Sequence, residues 1–155
     1  MAGLDIQTIQ DAKDALHEDK VPHSEFMRVS MNGAIFALPV EDVSSVVRPT
    51  LITPVPMAPD HLLGVANVRG QIFCIIDPGK VLRLEQGIQD KTTQTRFVLL
   101  RHERMHLGIW VDAVADLYSI PTAEVPEDSG EKHTMGTLNI GHEALQILRV
   151  KALLD

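Results

Sequence analysis

Five side chains in this sequence have types and settings that could do chemistry: His102 and His106, four apart with Glu103 between them, Cys74, and Arg69. The H-E-x-x-H spacing holds zinc when both histidines lie on one face of a helix and the glutamate is aimed at a metal-bound water. Here "HERMH" stands between two short apolar runs, 97–100 and 107–111, which read as strands, so the motif falls in the turn that joins them. A turn gives the two imidazoles no reason to converge. The segment therefore reads as a solvated charged turn rather than as a zinc hydrolase using His102, Glu103 and His106. His17, His23, His61, His133 and His142 are scattered through loop-like sequence, and no C-x-x-C accompanies them, so no metal site is expected. Cys74, between Phe73 and Ile75, reads as a buried, inert thiol, and a lone cysteine allows no intramolecular disulfide. Neither a phosphate-cradling glycine loop nor a nucleophile elbow is present, so neither nucleotide nor other cofactor is expected.

Arg69 is the most informative charge because of its setting. It lies in "LLGVANVRGQIFCIID", residues 62–77, where two apolar runs meet at Arg69-Gly70 and Asp77-Pro78-Gly79 closes the second. Apolar runs bounded by turn signals predict strands buried on both faces. A guanidinium beside such a strand must either clamp a carboxylate of the same fold or reach solvent, since an unpaired buried charge costs several kcal/mol, about 3–5 when a partner is lost. Arginine is also enriched where proteins meet. Both roles are open to Arg69.

The rest of the chain must position this hairpin. Asn32-Gly33 predicts a type I′ turn between strands over 26–40, with Phe36, Leu38 and Val40 on the core side. Residues 41–46 predict one helical turn after Pro39. Four prolines between 49 and 59 rule out a central strand, and Leu51, Ile52, Val55 and Met57 among them predict an extended strap packed over the core. Asp77-Pro78 predicts an N-cap and a short helix through about Leu84. "RFVLL", "MHLGIWVDAV" and "ADLYSI" read as strands, 121–132 as an acidic loop, and "TMGTLNI" with "ALQILRV" as a last hairpin through Gly141-His142. Residues 4–17 read either as a short amphipathic helix or as a frayed tail. The sum is a mostly β chain of nine or ten short strands at barrel-like spacing.

Composition excludes several function classes. With 155 residues, 45% of them apolar, the chain is long enough for one packed domain. A net charge of −7 and no lysine–arginine cluster argue against nucleic acid and anionic membrane surfaces. No apolar run is long enough to span a bilayer and the first 20 residues lack a signal-peptide core, so a cytoplasmic protein is expected.

"GVANVRGQIFCIID" resembles the signature of CheW-like domains, adaptors of bacterial chemosensory arrays. Gly64-Val65, Asn67, Arg69-Gly70 and Asp77 carry the likeness, a second element runs from Gly108 to Leu117, and "ALQILRVKALL" matches the family's close. The resemblance implies a fold of two interlocked five-stranded SH3-like β-barrels with short helices over residues 23–155, preceded by an extension over 1–22. It implies a non-enzymatic adaptor, without cofactors, that couples the cytoplasmic tip of methyl-accepting chemoreceptors to the regulatory domain of a CheA-type histidine kinase. In such proteins the receptor groove lies between the barrels and the kinase meets the barrel ends. Carried over, the partner-binding residues are Val43, Ser45, Val46, Gly64, Asn67 and Arg69 on the first barrel, with Val114 and Leu117 on the second. The chain departs from the family pattern at three positions. Ser45 stands where a glutamate commonly pairs with the signature arginine, leaving Arg69 to pair with Glu41 or Asp42 instead or to stay free. Cys74 replaces a proline and Arg149 an acidic residue. The wording "GVANVRG" is similar to adaptors of type IV pilus systems.

Overall fold

The computed structural model describes residues 21–154, so the predicted helix over 4–17 lies outside the described residues. Among the described residues, eleven strands form two sheets. The chain begins with β1 (His23–Met31) and β2 (Ala34–Pro39), an antiparallel hairpin whose Asn32 and Gly33 both have positive φ, 52° and 75°, as a type I′ turn requires. A single 3-10 turn, Val40–Asp42, then carries the chain into a second sheet. There it makes β3 (Val43–Val47), β4 (Ile52–Thr53), β5 (Leu62–Val68) and β6 (Gln71–Ile76). Helix α1 (Pro78–Leu82) and a long loop lead to β7 (Arg96–Leu100) and β8 (Leu107–Val111). The chain returns to the first sheet for β9 (Ala113–Pro121), β10 (Thr134–Ile140) and β11 (Glu143–Leu148), and ends in α2 (Lys151–Leu154).

Strand order is β10-β11-β2-β1-β9 in the five-stranded sheet and β3-β7-β8-β6-β5-β4 in the six-stranded one. The opening hairpin is thus built into the sheet made by the last three strands, with everything from 43 to 111 between. That is the interlock. Val47 from one end of the six-strand order and Ala66 and Val68 from the other share a buried cluster with Phe73, Ile75, Phe97 and Leu99, so this sheet curls around its own core. Phe26, Ala37, Leu138, Leu145 and Ile147 do the same in the five-stranded sheet. A third and larger cluster lies between the sheets, joining Val29, Met31 and Leu38 to Val98, Ile109, Val111 and Leu148. The middle strands consequently bury both faces: Phe97 and Leu99 point into the curl, Val98 and Leu100 into the shared core. This explains why "RFVLL" is an unbroken apolar run.

Several expectations are corrected. Residues 41–46 give only the 3-10 turn, because Val43, Val46 and Val47 are β-branched and pair with β7 as a strand. On β2, Ala37 is as buried as Leu38, so both faces are covered rather than one. The proline strap touches the core only through Ile52, which packs on the cluster inside the six-stranded sheet. Ile52 and Thr53 pair with β5 as a sixth, edge strand, while Leu51 is 84% exposed and Met57 fully exposed. The signature hairpin is buried on both faces only near Ile76; at its tip Ile72 is 56% exposed. Cys74 is half-buried rather than buried.

Two polar devices fix the connections. Asp77 caps α1 by accepting from the Gly79 N–H at 3.0 Å and also accepts from Asn32 Nδ2 at 3.0 Å, pinning the first hairpin's turn to the second sheet's exit. Arg149 pairs bidentately with Asp128 and donates from Nε to the Glu131 carbonyl at 3.0 Å, holding the acidic loop. The Arg149 hydrogen bond, helped by the Gly130 N–H, lowers the Asp128 carboxyl to about 2. Because the folded value lies below the ordinary one, the pair's contribution is complete above about pH 4 and is lost as pH falls through about 2. Arg149→Ala should move the Asp128 titration, followed by carboxyl-carbon NMR, up toward the ordinary carboxylate range. A midpoint that stays put would assign the shift to the Gly130 N–H. Global stability should barely move, since the pair is solvent-exposed.

Candidate partner-binding surface

The residues expected to bind partners fall on three strands. On β5, alternation sends Gly64, Ala66 and Val68 inward and Val65 and Asn67 outward. The turn to β6 has positive φ at Arg69 (53°) and Gly70 (85°), and the Asn67 side-chain oxygen caps it by accepting from the Gly70 N–H at 2.9 Å. Asn67 is therefore also a turn residue, which explains an amide at the end of an apolar strand. Arg69 is exposed and has no ion-pair partner among the described residues. The expected carboxylate mates are placed elsewhere. Burial pushes the Asp42 carboxyl up, Glu41 adding to this, and the cations that oppose it are Lys151 and Arg101. Ser45 pairs with Leu99 on the neighbouring strand. The arginine of the signature reaches solvent.

Gly64 is buried and acts through its backbone. Its φ of 148° disfavours side chains, and an added Cβ would lie 2.3 Å from the Thr53 carbonyl oxygen. Its absence of side chain lets β4 lie against β5. The outer face of this end of the sheet is a shallow groove of about 290 Å³ lined by Thr50, Leu51, Val65, Asn67 and Ile72. The Thr50 hydroxyl donates to the Asn67 carbonyl at 3.0 Å, fixing the strap along the groove's edge. An apolar floor, two hydrogen-bonding side chains and a free guanidinium at the tip suit a protein surface.

On β3, Val46 is exposed, whereas Val43 packs on the shared core and Ser45 is half-buried. On β9, an outer strand of the five-stranded sheet, Leu117 is 64% exposed and Val114 packs on the shared core. Of the eight expected residues, Val46, Asn67, Arg69 and Leu117 present side chains to solvent. Sequence reasoning missed Leu51 and Ile72. The signal for Leu51 was there: an apolar residue beside Pro49 and Pro54 in a segment unable to form a central strand has little core to enter.

The two histidines of "HERMH" do not converge. They sit in an irregular loop, where His102 Nδ1 accepts from the Arg104 and Met105 N–H groups, each at 3.0 Å, while the His106 ring stacks on Phe73 with centroids 5.0 Å apart. Among the described residues no three His, Cys, Asp or Glu side chains stand where they could hold a metal ion. Nor is any described helix long and apolar enough to cross a membrane.

Comparison with known proteins places this geometry. The family model described as CheW-like domain matches residues 25–155. The chain is 28% identical over 145 residues to the chemotaxis protein CheW of Helicobacter pylori, covering 88% of this chain and 85% of that one. It is 28% identical over 149 residues to protein FrzA of Myxococcus xanthus, covering 91% of each. Among solved structures, the scaffolding protein TtCheW from Thermoanaerobacter tengcongensis superposes with a TM-score of 0.72 at 22% identity, over 83% of this chain and 90% of that one.

Proposed function

The chain belongs to the family of CheW-like domains, and from that membership we propose that it is a non-enzymatic cytoplasmic adaptor coupling chemoreceptors to a CheA-type histidine kinase. Its domain is residues 23–155, with 1–22 an appended segment. The match of the family model across 25–155 carries this reading. The mechanism is contact formation: a rigid two-sheet body holds two partners in fixed geometry, and the phosphoryl chemistry takes place on the kinase. The groove at the tip of the signature hairpin, with Leu51, Ile72, Asn67 and Arg69, is the surface assigned to the kinase regulatory domain. Val43, Ser45, Val46 and Gly64 support the partner surface on the six-stranded sheet, and Val114 and Leu117 that on the five-stranded sheet. The wording "GVANVRG" supports a type IV pilus output.

Binding to the regulatory domain of a CheA-type kinase, measured by calorimetry, tests the proposal. Wild type binds. Arg69→Glu weakens binding about tenfold, roughly 1.4 kcal/mol, and Ile72→Asp weakens it further because a carboxylate then lies on the apolar floor. Both variants keep the wild-type melting curve, since both side chains are exposed. No binding by the wild type sinks the adaptor reading; an unfolded Arg69→Glu would make the arginine structural and sink the site.

A further inference from the structure

The strap between β4 and β5 contains a turn whose residue types oppose its backbone. Pro56 and Met57 are its central residues, and the Ala58 N–H closes it by donating to the Val55 carbonyl at 3.3 Å. Proline first and a positive φ second, 60° at Met57, is the pattern of a type II turn, whose second position calls for glycine or asparagine. Methionine there bears a steric cost that glycine escapes. Met57 is fully exposed, so no contact within the domain offsets that cost.

Among the described residues, four other than glycine have positive φ: Asn32, Met57, Arg69 and Arg83. Asn32 is buried and hydrogen-bonded, and Arg83 closes α1 with its N–H on the Gly79 carbonyl. Those two serve the fold. Met57 and Arg69 instead present their side chains to solvent, from the two loops that flank β5. A strained backbone beneath an exposed side chain points to a role outside the domain.

The strap is also stiff. Pro54, Pro56 and Pro59 fix φ along it, the Leu62 N–H donates to the Pro59 carbonyl at 3.0 Å, and at its foot the Asp77 N–H donates to the His61 carbonyl at 2.8 Å. It leaves the sheet at Thr53, which pairs with Val65 and with it lines the groove assigned above to the kinase. Val55 and Met57, both exposed, continue the apolar surface of Leu51 and Ile72 along the strap. Residues 49–59 carry no ionisable side chain, which suits an apolar partner surface rather than a charged one. On the kinase assignment of that groove, we infer that Met57 is a preorganised anchor whose thioether enters an apolar recess of the kinase regulatory domain. Rigid presentation lowers the ordering cost of binding, and an unbranched, polarisable side chain fits an irregular recess.

Titration calorimetry of full-length variants with the regulatory domain of a CheA-type kinase tests this. Met57→Gly and Met57→Asn both suit the turn and remove the apolar side chain. Each should weaken binding about tenfold and melt no lower than wild type. Met57→Leu keeps the apolar bulk and should bind nearly as wild type does. An asparagine variant that binds like wild type would credit the turn rather than the side chain and overturn the anchor, as would full binding by Met57→Gly. In wild-type protein with carbon-13-labelled methionine methyls, the Met57 signal should shift when the domain is added. The Met105 signal, from the loop between β7 and β8, should stay. An unmoved Met57 overturns the inference. Failure of the wild type to bind sinks the kinase assignment and the anchor with it. Weakening by Ile72→Asp, with Met57→Gly and Met57→Asn both at wild-type strength, sinks the anchor alone.

Discussion

Ile109→Ala should lower the unfolding free energy by about 2–5 kcal/mol, and the two sheets should still melt as one. Ile109 is completely buried on β8, in the cluster that takes Val29, Met31 and Leu38 from the five-stranded sheet and Val98 and Val111 from the six-stranded one. Truncation leaves a cavity that neither sheet can fill by moving alone, because each is also committed to its own curled cluster. The Asp112 N–H adds a direct tie, donating to the Ser30 carbonyl of β1 at 2.7 Å where β8 hands over to β9. The chain provides two natural reporters. Its single tryptophan, Trp110, packs on the cluster inside the six-stranded sheet, and its single tyrosine, Tyr118, on the cluster of the other. Denaturant curves from Trp110 fluorescence and from fluorotyrosine NMR at position 118 should coincide and shift together in the variant. Separate midpoints would mean the shared cluster does not couple the sheets.

Asp77→Ala should cost about 2–4 kcal/mol by a different route, the sum of a lost helix cap and a buried donor left unpaired. Asp77 is 3% exposed, and its carboxylate accepts from both Gly79 N–H and the Asn32 amide. Asn32 is equally buried, at the turn of the first hairpin. Its amide keeps a second bond to the Gln86 carbonyl at 3.2 Å, which limits the loss. Asp77→Asn retains an acceptor for the cap and should recover part of the stability. Thermal melts of the three proteins decide this: if the asparagine variant is no better than the alanine one, the negative charge rather than the acceptor is what the site requires.

Both variants act on features only partly legible in the sequence. The turns were legible because their chemistry is local: Asn32-Gly33, Asp77-Pro78 and Gly141 each specify a backbone conformation without reference to the rest of the fold. The buried central strands were legible from unbroken apolar runs. What could not be read was which side of a strand meets which core. The signature hairpin looks uniformly apolar, yet one face of β6 goes from an exposed Ile72 to a buried Ile76, because the shared core reaches only one end of it. Most of the strap was misread for the same reason, since apolar residues near prolines look the same whether they face a core, as Ile52 does, or solvent, as Leu51 and Met57 do. The missing mate of Arg69 is a question of placement too. Asp42 is near in sequence to Ser45, but the 3-10 turn puts it beside Arg101 and Lys151. Among the expected contact residues, the exposed ones could be separated from the supporting ones only by the bulges and pairings that set each side chain's direction.

The interlock has a consequence for synthesis on the ribosome. Of the described strands, those of the opening hairpin emerge first, but their neighbours β9 and β11 are made among the last three. Residues 43–111, whose strands pair only among themselves, can assemble while translation continues. The nascent hairpin must meanwhile keep its apolar faces and both strand edges from pairing elsewhere, which makes it the stretch of the newborn chain with the greatest need of a chaperone.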